Sequence, residues 1–212
     1  MALKKQIEAI VASDYRGPRA GYSEIDVLKA LWVIGKSRSS VGRYRLGQLT
    51  GLGQGEVRTL ISRLKENGLI AVDSRGITFT EKGKKEFDSI SRVIPFSSAV
   101  DASELALGDF NWVVIIRDKA PRIKKGLEQR DAAIRAGASG ALTVVYNNGK
   151  FQIPSSELKT GPTDCEAMGP TEPWTTIRKE SSPRDGDVIV VSGAETSQLA
   201  EEGALSSALT VL

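Results

Sequence analysis

The 212-residue chain contains no histidine. That absence excludes Ser-His-Asp and Cys-His activation of a nucleophile, histidine metal ligation and histidine pH switching. A single cysteine, Cys165, leaves no internal disulfide and no cysteine-clustered zinc site. No apolar run reaches the ~18 residues of a transmembrane helix. The N-terminal MALKKQIEAIVASDYRG lacks a continuous apolar stretch of signal-peptide length, and Glu8 interrupts it, so a cytoplasmic location is expected. There is no GxGxxG and no Walker-type loop to support nucleotide binding. Catalysis would have to use carboxylates, lysine, tyrosine or a metal held by oxygen alone, and no pair of acidic residues has a spacing that argues for it. The expectation is no catalytic residue, no metal, no cofactor and no enzyme.

What is present is an ordinary globular composition, 40% apolar and 26% charged, with enough chain for one or two domains. The net charge of +3 hides an asymmetry. Residues 1–92 hold 17 Lys and Arg against 10 Asp and Glu, a net +7, and residues 93–212 hold 12 against 16, a net −4. A basic first part attracts phosphate backbones, and the acidic second part points to a different partner.

Residues 2–13 read as a helix with Leu3, Ile7, Ile10 and Val11 on one stripe. DYRGPRAG breaks it. Ser23 and Asp26 fit a capping box at the start of a second helix that ends near Gly35. KSRSSVGRYR is a basic link with a short strand expected around Arg43–Arg45, and Leu46 to Thr50 is a short helix. Gly51-Leu52-Gly53 is a turn. Residues 54–67 form the next helix, stopped by Gly68. LIAVD and ITFT make a hairpin around Ser74-Arg75-Gly76, and Thr80 caps a helix ended by Pro95.

The helix at 54–67 has an unusual outer face. Val57, Leu60, Ile61 and Leu64 make its apolar stripe. Opposite them stand Gly55, Thr59, Ser62 and Glu66, flanked by Arg58 and Arg63. Small polar residues in the middle with arginines at the edges make an unusual solvent face.

The stretch RLGQLTGLGQGEVRTLISRLKENGLIAVDSRGITFTEKGKKEF resembles the winged helix-turn-helix domain of prokaryotic and archaeal transcription regulators. LxxLTGL, VRxLISRLKENGLI and the TxxG after the hairpin carry the resemblance, which covers roughly residues 20–92. It implies that residues 54–67 are a recognition helix in the major groove and that 73–77 form the wing. Gln54, Gly55, Thr59 and Ser62 would then meet the groove floor. Arg58 and Arg63 would meet guanine edges or phosphates, and Arg75 a phosphate or the minor groove. Arg38, Arg43 and Arg45 become candidates for backbone contacts. Glu56 either favours the helix N-terminus or accepts from a cytosine amino group.

In the second part, residues 93–109 read as the domain boundary. FNWVVIIR is a buried strand, residues 121–136 a helix, and ALTVVY and KFQIP two strands around Asn147-Asn148-Gly149. WTTIRKE and DVIVVSG read as two more strands, and Thr196 to Leu212 as a last helix. The expected order, β-α-β-β-β-β-α, is an α+β sandwich with its helices on one face of the sheet. GLEQRDAAIRAGASGALTVVY and PRDGDVIVVSGA resemble a domain of unknown function that follows a winged helix in archaeal proteins. Glu128, Arg130 and Asp131 form the strongest polar cluster, readable as a surface ion network or as a ligand site in which Arg130 grips an anion. Loop 161–174, rich in proline and glycine, is a candidate lid.

These readings give an α+β protein with a winged-helix DNA-binding domain at 1–94 and an α+β dimerisation or effector domain at 110–212. The expected function is transcription regulation by sequence-specific binding to double-stranded DNA, as a homodimer, with a small-molecule effector and no membrane partner. Elements offered for the dimer interface are the first helix, with Leu3, Ile7 and Ile10, and the helix Glu81–Ile94, with Phe87 and Ile90. The alternatives are a winged helix used as a protein-interaction module or one fused to an uncharacterised enzyme domain.

Overall fold

A computed structural model describes residues 2–12, 21–102, 104–106, 108–154 and 163–212. The chain divides into two compact units, Met1–Ile90 and Ser91–Leu212. No helix among the described residues is long and apolar enough to cross a membrane.

The first unit runs α1 (Ala2–Val11), α2 (Glu24–Lys36), α3 (Arg43–Thr50), α4 (Gln54–Glu66), β1 (Ile70–Asp73) and β2 (Gly76–Phe79), then enters α5 (Glu81–Val93). The Ser23–Asp26 capping box starts α2, the Asp26 carboxylate accepting from the Ser23 N–H at 2.8 Å. Gly51 takes a left-handed φ of 79° and turns α3 into α4. Gly68, at φ 69°, ends α4 as expected. Leu28 and Leu31 of α2, Leu46 of α3, Val57, Leu60 and Leu64 of α4, and Ile77 of β2 are all buried. β1 and β2 pair antiparallel around Ser74 and Arg75, and Val41 bridges Ile77 on the other edge of β2 through two hydrogen bonds of 2.9 Å.

The TxxG after the hairpin has a local cause. Thr80 Oγ1 accepts from the Gly83 N–H at 3.0 Å and donates to the Gly68 carbonyl at 2.6 Å, tying the start of α5 to the end of α4. A Cβ on Gly83 would stand 1.8 Å from the Leu69 carbonyl oxygen, so only glycine lets α5 come this close.

The expected strand around Arg43–Arg45 is a correction: these residues form the first turn of α3, and the strand-like contact lies earlier, at Val41. The helices offered for a dimer interface pack inward. Ile7, Ile10 and Ile90 are buried within their own unit. The Phe87 ring packs edge-on to Trp32 and against Phe79. The side chain of Leu3 lies outside the described residues.

The second unit is a six-stranded antiparallel sheet in the order β3-β4-β8-β5-β6-β7. Its strands are β3 (Phe96–Ala99), β4 (Phe110–Ile116), β5 (Gly140–Asn147), β6 (Lys150–Ile153), β7 (Thr163–Asp164) and β8 (Val188–Ala194). Its helices are α6 (Leu127–Arg135), α7 (Glu172–Ser181) and α8 (Ser197–Leu209). Alternation along the central strands sends side chains to two faces. Val113, Ile115, Val144, Ile189 and Val191 join Trp174 and Ile177 of α7 in one core. Trp112, Ala141 and Ala194 join Ala133 of α6 and Ala200 of α8 in another. A Cβ on Gly203 would sit 2.4 Å from Ser192 Oγ, which shows how closely α8 lies on β8.

Four expectations change here. WTTIRKE is helix α7, not a strand, because Pro173 opens it and Trp174, Ile177 and Ser181 form one buried helical stripe. With α7 on the face opposite α6 and α8, the helices cover both faces of the sheet. Residues 93–109 are not a bare boundary, since Phe96–Ala99 is an edge strand paired with β4. The helix expected at 121–136 splits into a 3-10 turn at Ala120–Arg122 and α6, separated by the left-handed Gly126.

Candidate nucleic-acid interface

The candidate interface comprises α3, α4 and the β1–β2 turn. With Val57, Leu60 and Leu64 buried, α4 presents Gln54, Gly55, Arg58, Thr59 and Ser62 to solvent. Each of the five is exposed, as the sequence predicts. Arg43 and Arg45 stand exposed on the first turn of α3. Arg75 is at the hairpin tip, its side chain 84% exposed.

Hydrogen bonding divides the outer face of α4 into two halves. Toward the C-terminus, Glu66 accepts from Ser62 Oγ at 3.0 Å and from Arg63 at 3.2 Å. Arg63 is partly buried and also reaches Tyr22, whose hydroxyl pKa burial raises and Arg63 lowers. Ser62 and Arg63 are therefore engaged within the protein. Toward the N-terminus, Thr59 Oγ1 donates to the Gly55 carbonyl at 3.1 Å, and no ion pair among the described residues involves Arg58. Glu56 accepts from the Gly53 N–H at 2.8 Å, half of a capping box, which assigns it to the helix start.

Gly55 stands out in this half. A Cβ built on it meets nothing within 4 Å. It lies in the first turn of α4, and neither φ nor packing within the unit requires glycine there.

Arg75 is anchored before any ligand arrives. Its guanidinium donates to Asp73 at 3.0 Å, and its backbone N–H donates to the same carboxylate at 2.8 Å. These bonds hold the Asp73 pKa below the usual carboxylate range. Ser40 Oγ donates to the Arg75 carbonyl at 2.6 Å, so the link before α3 fixes the tip of the hairpin.

In the C-terminal unit, Glu128, Arg130 and Asp131 lie exposed on α6. Arg130 pairs with Asp131 at 2.9 Å, the geometry of a surface ion pair. Residues 161–162 of the candidate lid lie outside the described residues, while Thr163–Asp164 is strand β7 and α7 begins at Glu172. Two arginine centres escaped the sequence reading. Arg117 pairs with the fully buried Asp187 across β4 and β8. Arg178 of α7 bonds Tyr146, Glu166 and the Gly149 carbonyl and lies over the Phe151 ring. Burial opposes the Arg178 charge most strongly, but the hydrogen bonds and charges of Glu166 and Tyr146 together outweigh it and the pKa rises. Arg117 meets Asp187 through strand register and Arg178 meets its partners through the docking of α7 on the sheet, and neither is visible in a local stretch of sequence. Burial pushes the Cys165 thiol up to about 11, so it is a core residue and a poor nucleophile.

Comparison with known proteins gives a family match in the C-terminal unit and a structural match over most of the chain. Residues 107–211 match the family described as Domain of unknown function (DUF4443). A solved structure, "Hypothetical protein PH0730 from Pyrococcus horikoshii OT3", shares the fold. It is 23% identical with a TM-score of 0.69, over 90% of this chain and 92% of that one. No curated protein sequence matches the chain. The chain thus carries a C-terminal stretch that matches a domain of unknown function.

Proposed function

We propose that the chain is a sequence-specific double-stranded DNA-binding transcription regulator. The N-terminal unit acts as a winged helix, with α4 in the major groove and the β1–β2 turn as the wing. The C-terminal unit supplies dimerisation or ligand sensing. The observation that carries this reading is the N-terminal half of α4, where exposed Gln54, Arg58 and Thr59 surround a glycine that nothing inside the protein explains. A backbone approached closely by a groove does explain it. The net +7 of residues 1–92 and the exposed Arg43, Arg45 and Arg75 supply phosphate contacts around that helix.

Gly55 gives a test of opposite signs. Gly55→Ala has room in the free protein and should raise its stability by up to about 1 kcal/mol, chiefly by restricting the unfolded chain. The same methyl group should weaken DNA binding. Thermal melts and fluorescence anisotropy with genomic fragments measure both. A variant that melts higher and binds DNA unchanged removes the argument.

Two arginines separate reading from anchoring. Arg58→Ala should lose roughly 1–3 kcal/mol on the preferred sequence and much less on scrambled DNA. Arg75→Ala should weaken all sequences about equally. Competition binding with cognate and scrambled duplexes decides, and the reverse pattern would mean the docking is inverted.

A further inference from the structure

Gln129, Ala132 and Ala133 are the buried residues of α6. Gln129 Nε2 donates to Thr210 Oγ1 at 2.7 Å, and Ser207 Oγ donates to the Gln129 carbonyl at 2.8 Å, which pins that face of the helix inward. Leu127, Arg130, Asp131 and Ile134 are left on the outer face, all exposed. Their spacing, i, i+3, i+4 and i+7, is that of a covered helical stripe. Leu127 and Ile134 are each 49% exposed, large apolar side chains at the two ends of the stripe.

Arg130 and Asp131 stand between them and pair with each other at 2.9 Å. Neighbours at i and i+1 do not face each other on a helix, and both side chains are about half exposed, so this pair holds the two charges weakly. Glu128 and Arg135 lie together on one flank of the stripe, both exposed and neither with an ion-pair partner among the described residues.

This face is complementary to itself. Leu127 and Ile134 are equally far from the point midway between Arg130 and Asp131. A second α6 laid antiparallel about a two-fold axis at that point sets Leu127 against the partner's Ile134 and Arg130 against the partner's Asp131, and each contact occurs twice. The same rotation brings like flanks together, so Glu128 approaches the partner's Arg135. A parallel pairing would set Arg130 against the partner's Arg130 and is repulsive.

We propose that the outer face of α6 is a dimer surface, joined antiparallel to α6 of a second copy of this chain. The proposal gives a surface to the dimerisation half of the proposed function and rests on that reading for its use on DNA. The first and fifth helices do not offer this surface, because Ile7, Ile10 and Ile90 are buried within their own unit. The nine residues of α6 are about 13 Å long. A face of that length buries less than the ~1,200 Å² of a stable standard interface. The dimer is therefore weak in free solution and gains strength when two chains lie on one duplex.

The experiment is sedimentation equilibrium of the full chain at low salt without DNA, from micromolar to millimolar concentration. The expected result is a reversible monomer–dimer equilibrium. Arg130→Asp places carboxylates against carboxylates across the axis, and Asp131→Arg places cations against cations. Each alone should weaken association at least tenfold. An equimolar mixture of the two variants should associate as tightly as the native chain, because each supplies the charge the other lacks. The double substitution in one chain should do the same. Both positions are exposed, so thermal melts should be unchanged. A single monomeric mass at every concentration overturns the proposal and leaves the stripe to a different partner. A dimer that the single substitutions leave intact, or whose loss mixing does not reverse, overturns it as well. DNA takes no part in the measurement, so failure here leaves the DNA reading standing, and failed DNA binding leaves the dimer standing.

Discussion

Trp174→Ala should destabilise the C-terminal unit by about 3–5 kcal/mol, the cost of emptying a large aromatic site in a packed core. Trp174 is 2% exposed. Its ring stacks on Phe151 at 4.7 Å, and Phe151 meets Tyr146 edge-on at 5.0 Å. The indole is thus the main contact through which α7 covers its face of the sheet. Trp112 on β4 remains as a fluorescent reporter, so denaturant unfolding can be followed in the same unit. Trp174→Phe, which keeps a ring in the stack, should cost markedly less. A loss below about 1 kcal/mol for the alanine variant would place WTTIRKE outside the core.

The missed helix shows where sequence patterning loses force. Thr175, Thr176 and Ile177 are consecutive β-branched residues, and that run reads as a strand. The opposing signal is Pro173 near the helix start and an apolar stripe of two large residues, Trp174 and Ile177, which a short window does not separate from strand alternation. Tertiary packing settled it: the open face of the sheet needed a cover. The β-strand at 96–99 was missed for a related reason. Phe96, Ser97, Ser98 and Ala99 show no clear alternation because they form an edge, joined to the sheet on one side only by β4. By contrast, the Ser23–Asp26 box, Gly68 and the Asn147-Asn148-Gly149 turn were legible, because each is chemistry carried within a few residues. Asn148 at φ 50° and Gly149 at φ 76° form the turn that the residues demand.

The exposed face of α4 was legible for the same local reason: helical period alone separates Val57, Leu60 and Leu64 from Gln54, Gly55, Arg58, Thr59 and Ser62. What the period could not show is which polar side chains are already engaged. Glu66 takes Ser62 and Arg63, and Asp73 takes Arg75. The candidate reading surface is therefore smaller than the sequence suggests and lies at the N-terminal end of α4.

Raising salt from 50 to 200 mM should weaken DNA binding about a hundredfold if one chain neutralises about four phosphates. The candidate contacts are Arg43, Arg45, Arg58 and Arg75, one cation each. Each neutralised phosphate contributes about −0.9 to the slope of log affinity against log salt, giving about −3.6 for the single chain. Two chains on one site would double the slope, and the same salt interval would then cost about ten-thousandfold. The slope thus reports stoichiometry together with charge, and it tests the expected homodimer on DNA. Arg75 should contribute less than a full unit, because it must leave Asp73 before it can meet a phosphate. Asp73→Asn should therefore steepen the slope, and Arg75→Ala should flatten it by less than Arg43→Ala or Arg45→Ala does. A slope near zero, with binding present at both salt concentrations, would mean that the basic N-terminal unit is not meeting phosphates at all.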